Sequence, residues 1–136
     1  RELQREIGDV LRNRSTESDT VESIEIKAEQ ENRHGNLFLE TWSNRRRRTT
    51  GWMFHCKADW LLYYFVLSDE CYAVRLPKLQ AWAFDRGRIY DFPEREQQKY
   101  DQLNDTWGRC VPITTLCNEV GLRRIPLPPR EAGEAA

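Results

Sequence analysis

The alternation of apolar and polar positions is clearest over residues 36–43. Leu37 and Leu39 fall on one side there, and Phe38, Glu40 and Trp42 on the other, the two-residue period of a half-buried strand. A second run, Ile24-Glu25-Ile26-Lys27, lies in a β-branched stretch that reads as a strand over residues 20–28. Ile24 and Ile26 then point toward a core, while Glu25 and Lys27 share the opposite face. Residues 8–11 read as an earlier strand, and the polar cluster 15–19 supplies turn residues, so these segments predict a hairpin. In an antiparallel pair the start of one strand lies beside the end of the next, which brings Asp9 near Glu25.

The remaining pattern fills in an α/β domain. Residues 1–6 are charged, with Leu3 and Ile7 as the apolar points, and read as the end of a helix. Residues 29–35 read as a connection, 43–51 as an exposed loop, and 57–66 as an apolar run whose periodicity does not separate helix from buried strand. Residues 71–76 alternate like a strand. Pro77 then opens a helix to about residue 84, proline being favoured in a first turn. Residues 94–103 read as a polar helix or loop outside the core, 111–120 as a short helix, and 130–136 as a disordered tail. The predicted architecture is a central mixed sheet flanked by helices, in one domain over residues 1–129.

Composition narrows this picture only a little. A formal net charge of −1 gives no overall basic field, so any nucleic-acid contact must come from local patches. Hydrophobic content of 39% argues against disorder, and no apolar run reaches membrane-spanning length. No signal peptide is evident, and Arg1 falls in what reads as mid-element, so more chain upstream is expected. Cys56, Cys71, Cys110 and Cys117 form no C-x-x-C pair, and His34 and His55 lack partners at ligand spacing. Free, mostly buried thiols and a cytoplasmic location are therefore expected.

Asp9 after a glycine, or Glu25 and Lys27 alone, would suit an ordinary turn and a solvated strand face. The continuation Gly35-Asn36-Leu37-Phe38-Leu39-Glu40-Thr41-Trp42-Ser43-Asn44, then Gly51-Trp52 and Ala58-Asp59-Trp60-Leu61-Leu62-Tyr63-Tyr64, changes that balance. Over roughly residues 3–64 the chain resembles the PD-(D/E)XK, restriction-endonuclease-like nucleases, in particular small phage and mobile-element members. Gly8 stands where the family's proline usually precedes the first acid. The resemblance implies a restriction-endonuclease-like core and Mg²⁺- or Mn²⁺-dependent hydrolysis of DNA. It places the metal on Asp9 and Glu25, gives the water-orienting role to Lys27, and sets Gln4 and Glu40 in support.

Elementary chemistry is compatible with those roles. Hard oxygen donors select Mg²⁺ or Mn²⁺, whose retained waters can become nucleophiles. Glu40 is expected either beside the site or in a salt bridge to a loop arginine. Arg45, Arg46, Arg47 and Arg48 form the dense basic patch, suited to backbone phosphates without sequence readout. Trp42, Trp52 and Trp60 are expected mainly in the core, with base stacking as the alternative. A nuclease-like fold serving only as a DNA-binding or assembly module is the competing expectation; RNA cleavage and homodimer formation stay open.

Overall fold

Residues 60–65 are apolar at every position because the strand they form is covered on both sides. In the computed structural model, which describes residues 22–97 and 104–129, this strand is β4 (Trp60–Phe65). Leu61, Tyr63 and Phe65 enter the main core, whereas Trp60, Leu62 and Tyr64 enter a second cluster on the other face. A strand buried on both faces loses its alternation and reads as a continuous run, which resolves residues 57–66 in favour of strand. Strand β1 (Ile24–Glu29) lies parallel to β4, with Ile24 opposite Trp60 and Lys27 opposite Tyr63. Strand β5 (Glu70–Arg75) pairs antiparallel with β4, and β8 (Arg123–Ile125) completes a four-stranded sheet in the order β1-β4-β5-β8.

The described residues form two sheets, which corrects the expected single central sheet. Strand β2 (Asn36–Asn44) follows a polar connection and pairs with β3 (Thr49–Thr50) and β7 (Trp107–Pro112) rather than with β1. With β6 (Glu94–Glu96) these give a second four-stranded sheet in the order β3-β2-β7-β6. Leu37, Leu39 and Val111 from this sheet share one core with Leu61, Tyr63 and Phe65 of the first. The α/β class stands, in a form richer in strand than in helix.

Helices close the core. Helix α1 (Trp52–His55) is a single turn that buries Met53, and α2 (Leu76–Gln80) carries Pro77 in its first turn and runs into a π-helical turn over Ala81–Asp85. Gly87, at φ +69°, ends that segment in a conformation glycine adopts without strain. Helix α3 (Ile113–Val120) buries Ile113, Leu116 and Val120 and stops at Gly121, at φ +81°. Residues 94–96, read as polar helix or loop, are instead strand β6, paired with β7.

The sequence reading missed β7 because Gly108 and Pro112 look like strand breakers. A Cβ on Gly108 would lie 2.6 Å from the Leu39 carbonyl oxygen and 2.6 Å from the Phe38 ring, so close strand approach requires glycine. The hairpin over residues 8–28, Gln4, Asp9 and the tail 130–136 lie outside the described residues, apart from the returning strand that is β1. Among the described residues no helix is long and apolar enough to cross a membrane. All four cysteines are free, but only Cys71 is buried and Cys117 is exposed, which corrects the expectation of mostly buried thiols. Burial pushes the Cys71 thiol up to about 12, so it is not a ready nucleophile.

Candidate active site

Ser23 and Asp59 set the start of β1. The Asp59 carboxylate accepts the Ser23 N–H at 2.9 Å and its hydroxyl at 3.1 Å, while the Asp59 and Trp60 N–H groups both donate to the Ser23 carbonyl at 3.0 Å. The bonds from Ser23 hold the Asp59 carboxyl below its ordinary range, and together the four lock the parallel register of β1 on β4. Asp59, part of the Ala58-Asp59-Trp60 segment, is thereby committed to structure.

With that register fixed, Ile24 and Ile26 pack on the second cluster, as expected. Glu25, Lys27 and Glu29 share the other face, on the side of Leu61, Tyr63 and Phe65. Among the described residues β1 has a strand neighbour on one side only, β4, so this face lies at the rim of the main core. The Lys27 ammonium lies 3.2 Å from the Glu25 carboxylate, and both side chains are partly exposed. Charges are costly to bury, and both groups keep partial access to water.

Trp52 links Lys27 to Glu40. The Lys27 Nζ lies 5.4 Å from the centre of the Trp52 ring, within cation–π range. The Trp52 N–H donates to the Glu40 carboxylate at 3.1 Å. Gly51, which precedes α1, has no side chain to satisfy that helix start, and Glu40 supplies the acceptor from β2. A Cβ on Gly51 would lie 2.5 Å from the Glu40 carbonyl oxygen, so this approach also needs glycine. At the other end of α1, Gln80 donates to the carbonyls of Met53 at 3.1 Å and Cys56 at 2.8 Å. One helical turn is too short to hold itself, and these side chains fix it from outside. Glu40, expected either beside the site or in a salt bridge to a loop arginine, thus has the Trp52 backbone N–H as a partner.

Glu29 was not singled out from sequence, although it continues the same two-residue period. It accepts the Tyr63 hydroxyl hydrogen, and the Tyr63 hydroxyl oxygen in turn accepts the Phe38 N–H at 3.2 Å. Burial raises the Glu29 carboxyl above its ordinary value against the lowering effect of the Tyr63 bond, and burial followed by the Glu29 charge raises the Tyr63 phenol. Glu29 lies two residues along β1 from Lys27 on the same face, and a carboxyl perturbed by desolvation is one mark of candidate sites.

The arginine run forms the turn between β2 and β3. Asp105 accepts the Arg46 N–H at 3.1 Å, Asn44 accepts the Arg47 N–H at 3.1 Å, and Arg48 adopts φ +56°. Arg45 is engaged: its guanidinium meets Glu94 at 2.9 Å and lies 4.5 Å from the Trp107 ring centre. Arg46 is 85% exposed with its Nε 3.9 Å from the Asp105 carboxylate, and Arg47 and Arg48 are also exposed. Strand rise puts this turn roughly 17 Å along β2 from Glu40. Of the tryptophans, Trp60 is buried, as is the Trp42 backbone's neighbour Thr41, while Trp42 and Trp52 are half-buried. His55 bonds Thr50, and His34 is exposed.

Among the described residues no three Asp, Glu, His or Cys side chains converge as a metal cage. The structure thus brings Glu25, Lys27, Glu29, Trp52 and Glu40 to one corner, leaves the arginine turn apart from it, and does not extend to Asp9 or Gln4. Comparison with protein-family models, with curated proteins and with solved structures finds no match to this chain.

Proposed function

We propose that this protein is a metal-dependent nuclease of the restriction-endonuclease-like type, hydrolysing phosphodiester bonds in DNA at the open corner of β1. The observation that carries the reading is the Glu25–Lys27 pair, 3.2 Å apart on one face of β1 and partly exposed. The donors match Mg²⁺ or Mn²⁺ in kind, since Glu25 offers hard carboxylate oxygen and no sulfur or imidazole is needed. Mg²⁺ commonly takes one or two carboxylates and leaves other positions to water and phosphate, so Glu25 with Asp9 is a sufficient protein share in this reading. When bound, the ion would acidify a water and offset phosphate charge.

The chain's own groups have distinct tasks. Glu25 would hold the ion, and it pairs with Lys27. Lys27 turns its N–H donors to the attacking water or to a non-bridging phosphate oxygen, where negative charge grows in the transition state. Trp52 limits the swing of the lysine, and Glu40 holds Trp52 through its backbone, which makes both positioning residues. Gln4 is placed beside the ion in the same reading. Arg46, Arg47 and Arg48 engage flanking phosphates, while Arg45 stabilises the turn that presents them.

A DNA-binding or assembly module without catalysis is the second reading. Its support is that the Glu40 carboxylate is taken up by the Trp52 N–H and that Glu25 and Lys27 already satisfy each other as an ion pair. Nicking of supercoiled plasmid in Mg²⁺ or Mn²⁺ separates the two: the nuclease reading expects cleavage by the wild type, and its absence leaves the module.

A further inference from the structure

We propose that the aromatic surface formed by α1 and the π-helical turn is a self-association site. Two copies of this chain meet there about a two-fold axis and pair Lys57 of each with Asp85 of the other. The inference goes beyond the nuclease reading and uses none of the residues placed in that site.

Phe54 is 44% and Tyr90 56% exposed, and they are two of the three large apolar side chains most open to solvent among the described residues. They are not scattered. The Phe54 ring stacks on Phe84 at 4.2 Å between centroids and 22° between planes, and Tyr90 follows 6.4 Å from Phe84. Single exposed rings are ordinary on a protein surface, whereas a contiguous row marks a contact surface. Beside the row lies a cleft of about 430 Å³ with walls from two elements. Phe54 and Lys57 come from α1 and the residues just after it, and Phe84 and Asp85 from the end of the π-helical turn. Gln80 ties the walls together through its bonds to the Met53 and Cys56 carbonyls, so the surface is set before a partner arrives.

The charges decide which partner fits. Lys57 and Asp85 are the charged residues of the cleft lining, both are exposed, and neither makes a salt bridge to a described residue. The lining therefore carries one group of each sign and no net charge. A phosphate backbone or a peptide of one charge would set its own sign against one of the two. A second copy of the same surface does not. Turned by half a revolution about an axis between Phe54 and Phe84, it brings its Asp85 to Lys57 and its Lys57 to Asp85. Self-complementarity of this kind is what a two-fold interface requires. The rings then meet at the centre and the two ion pairs lie at the rim, the usual division of a protein interface. Three rings and two charges make a small surface, so association in the micromolar range is expected.

The test is sedimentation equilibrium of the full chain, without metal or DNA, for wild type, Phe54→Ala, Lys57→Asp, Asp85→Lys and an equimolar mixture of the last two. Wild type should show a monomer–dimer equilibrium. Phe54→Ala should weaken it roughly tenfold or more, as loss of a central aromatic anchor does. Each charge reversal sets like charges together twice in the dimer and should also weaken it by about tenfold or more. The mixture should recover the wild-type affinity, because each copy then meets opposite charge at both positions. Both reversed side chains are exposed, so a fold defect does not imitate that recovery. Wild type that stays monomeric up to millimolar concentration, reversals that dimerise as wild type does, or a mixture no tighter than its components overturns the proposal. With metal and DNA absent, none of these results bears on the nuclease reading.

Discussion

Replacing Glu40 with alanine removes the acceptor that holds the start of α1, and the structure sets the size of the effect. The bond removed is a backbone N–H to a carboxylate at 3.1 Å, and its donor sits at a half-buried tryptophan. Hydrogen bonds to charged groups contribute about 1.5–3 kcal/mol, and partial access of water to the freed N–H pulls the effect to the lower half of that range. We expect about 2 kcal/mol for Glu40→Ala and about half of that for Glu40→Gln, which keeps a neutral acceptor. For a domain of this size each kcal/mol moves the melting temperature by about 3–5 °C. Urea and thermal melts should show the alanine variant roughly 6–10 °C below wild type, with Trp52 fluorescence altered in the folded state. An alanine variant that melts together with wild type, with unchanged tryptophan emission, would refute the claim that Glu40 secures α1.

The Glu29 carboxyl is raised above its ordinary value of 4.5, so the folded state binds the proton more tightly than the unfolded chain. Stability must then fall as pH rises from about 4.5 through the folded value, and Glu29→Gln should gain relative to wild type over that rise; a relative decline contradicts the assignment. Replacing Arg46, Arg47 and Arg48 with Gln should weaken binding to all DNA sequences alike. The salt dependence should become shallower by about one unit of slope for each phosphate no longer neutralised. An unchanged slope would show those side chains to be idle.

Much of the fold is readable where burial differs between the two faces of a strand. Residues 36–43 alternate cleanly and form β2, and Ile24 with Ile26 faces a core as their period requires. Residues 57–66 stay ambiguous for a physical reason: β4 is covered on both faces, so its sequence carries no period. Strand β7 is hidden behind Pro112 and Gly108, and that glycine answers a tertiary approach to Leu39 and Phe38, far away in sequence. The division into two sheets depends on which strand β2 pairs with, and nothing local in residues 36–44 sets that choice. At the site, Glu25 and Lys27 are legible from spacing, and Glu29 follows from one more step of the same period. Trp52 and the bond to Glu40 are not, because both arise where α1 is folded back against β2.

The central claim is that Lys27 acts on the scissile phosphate or its attacking water, and the direct measurement is single-turnover cleavage alongside DNA binding for wild type and Lys27→Ala in Mg²⁺. Glu25 and Asp9 remain in that variant, so metal-dependent binding should change little, while the cleavage rate should fall by roughly a hundredfold or more. Wild type that binds DNA but leaves linear, supercoiled and branched DNA intact in both Mg²⁺ and Mn²⁺, or Lys27→Ala that cleaves at the wild-type rate, would contradict the account and leave the Glu25–Lys27 pair as a structural ion pair on β1.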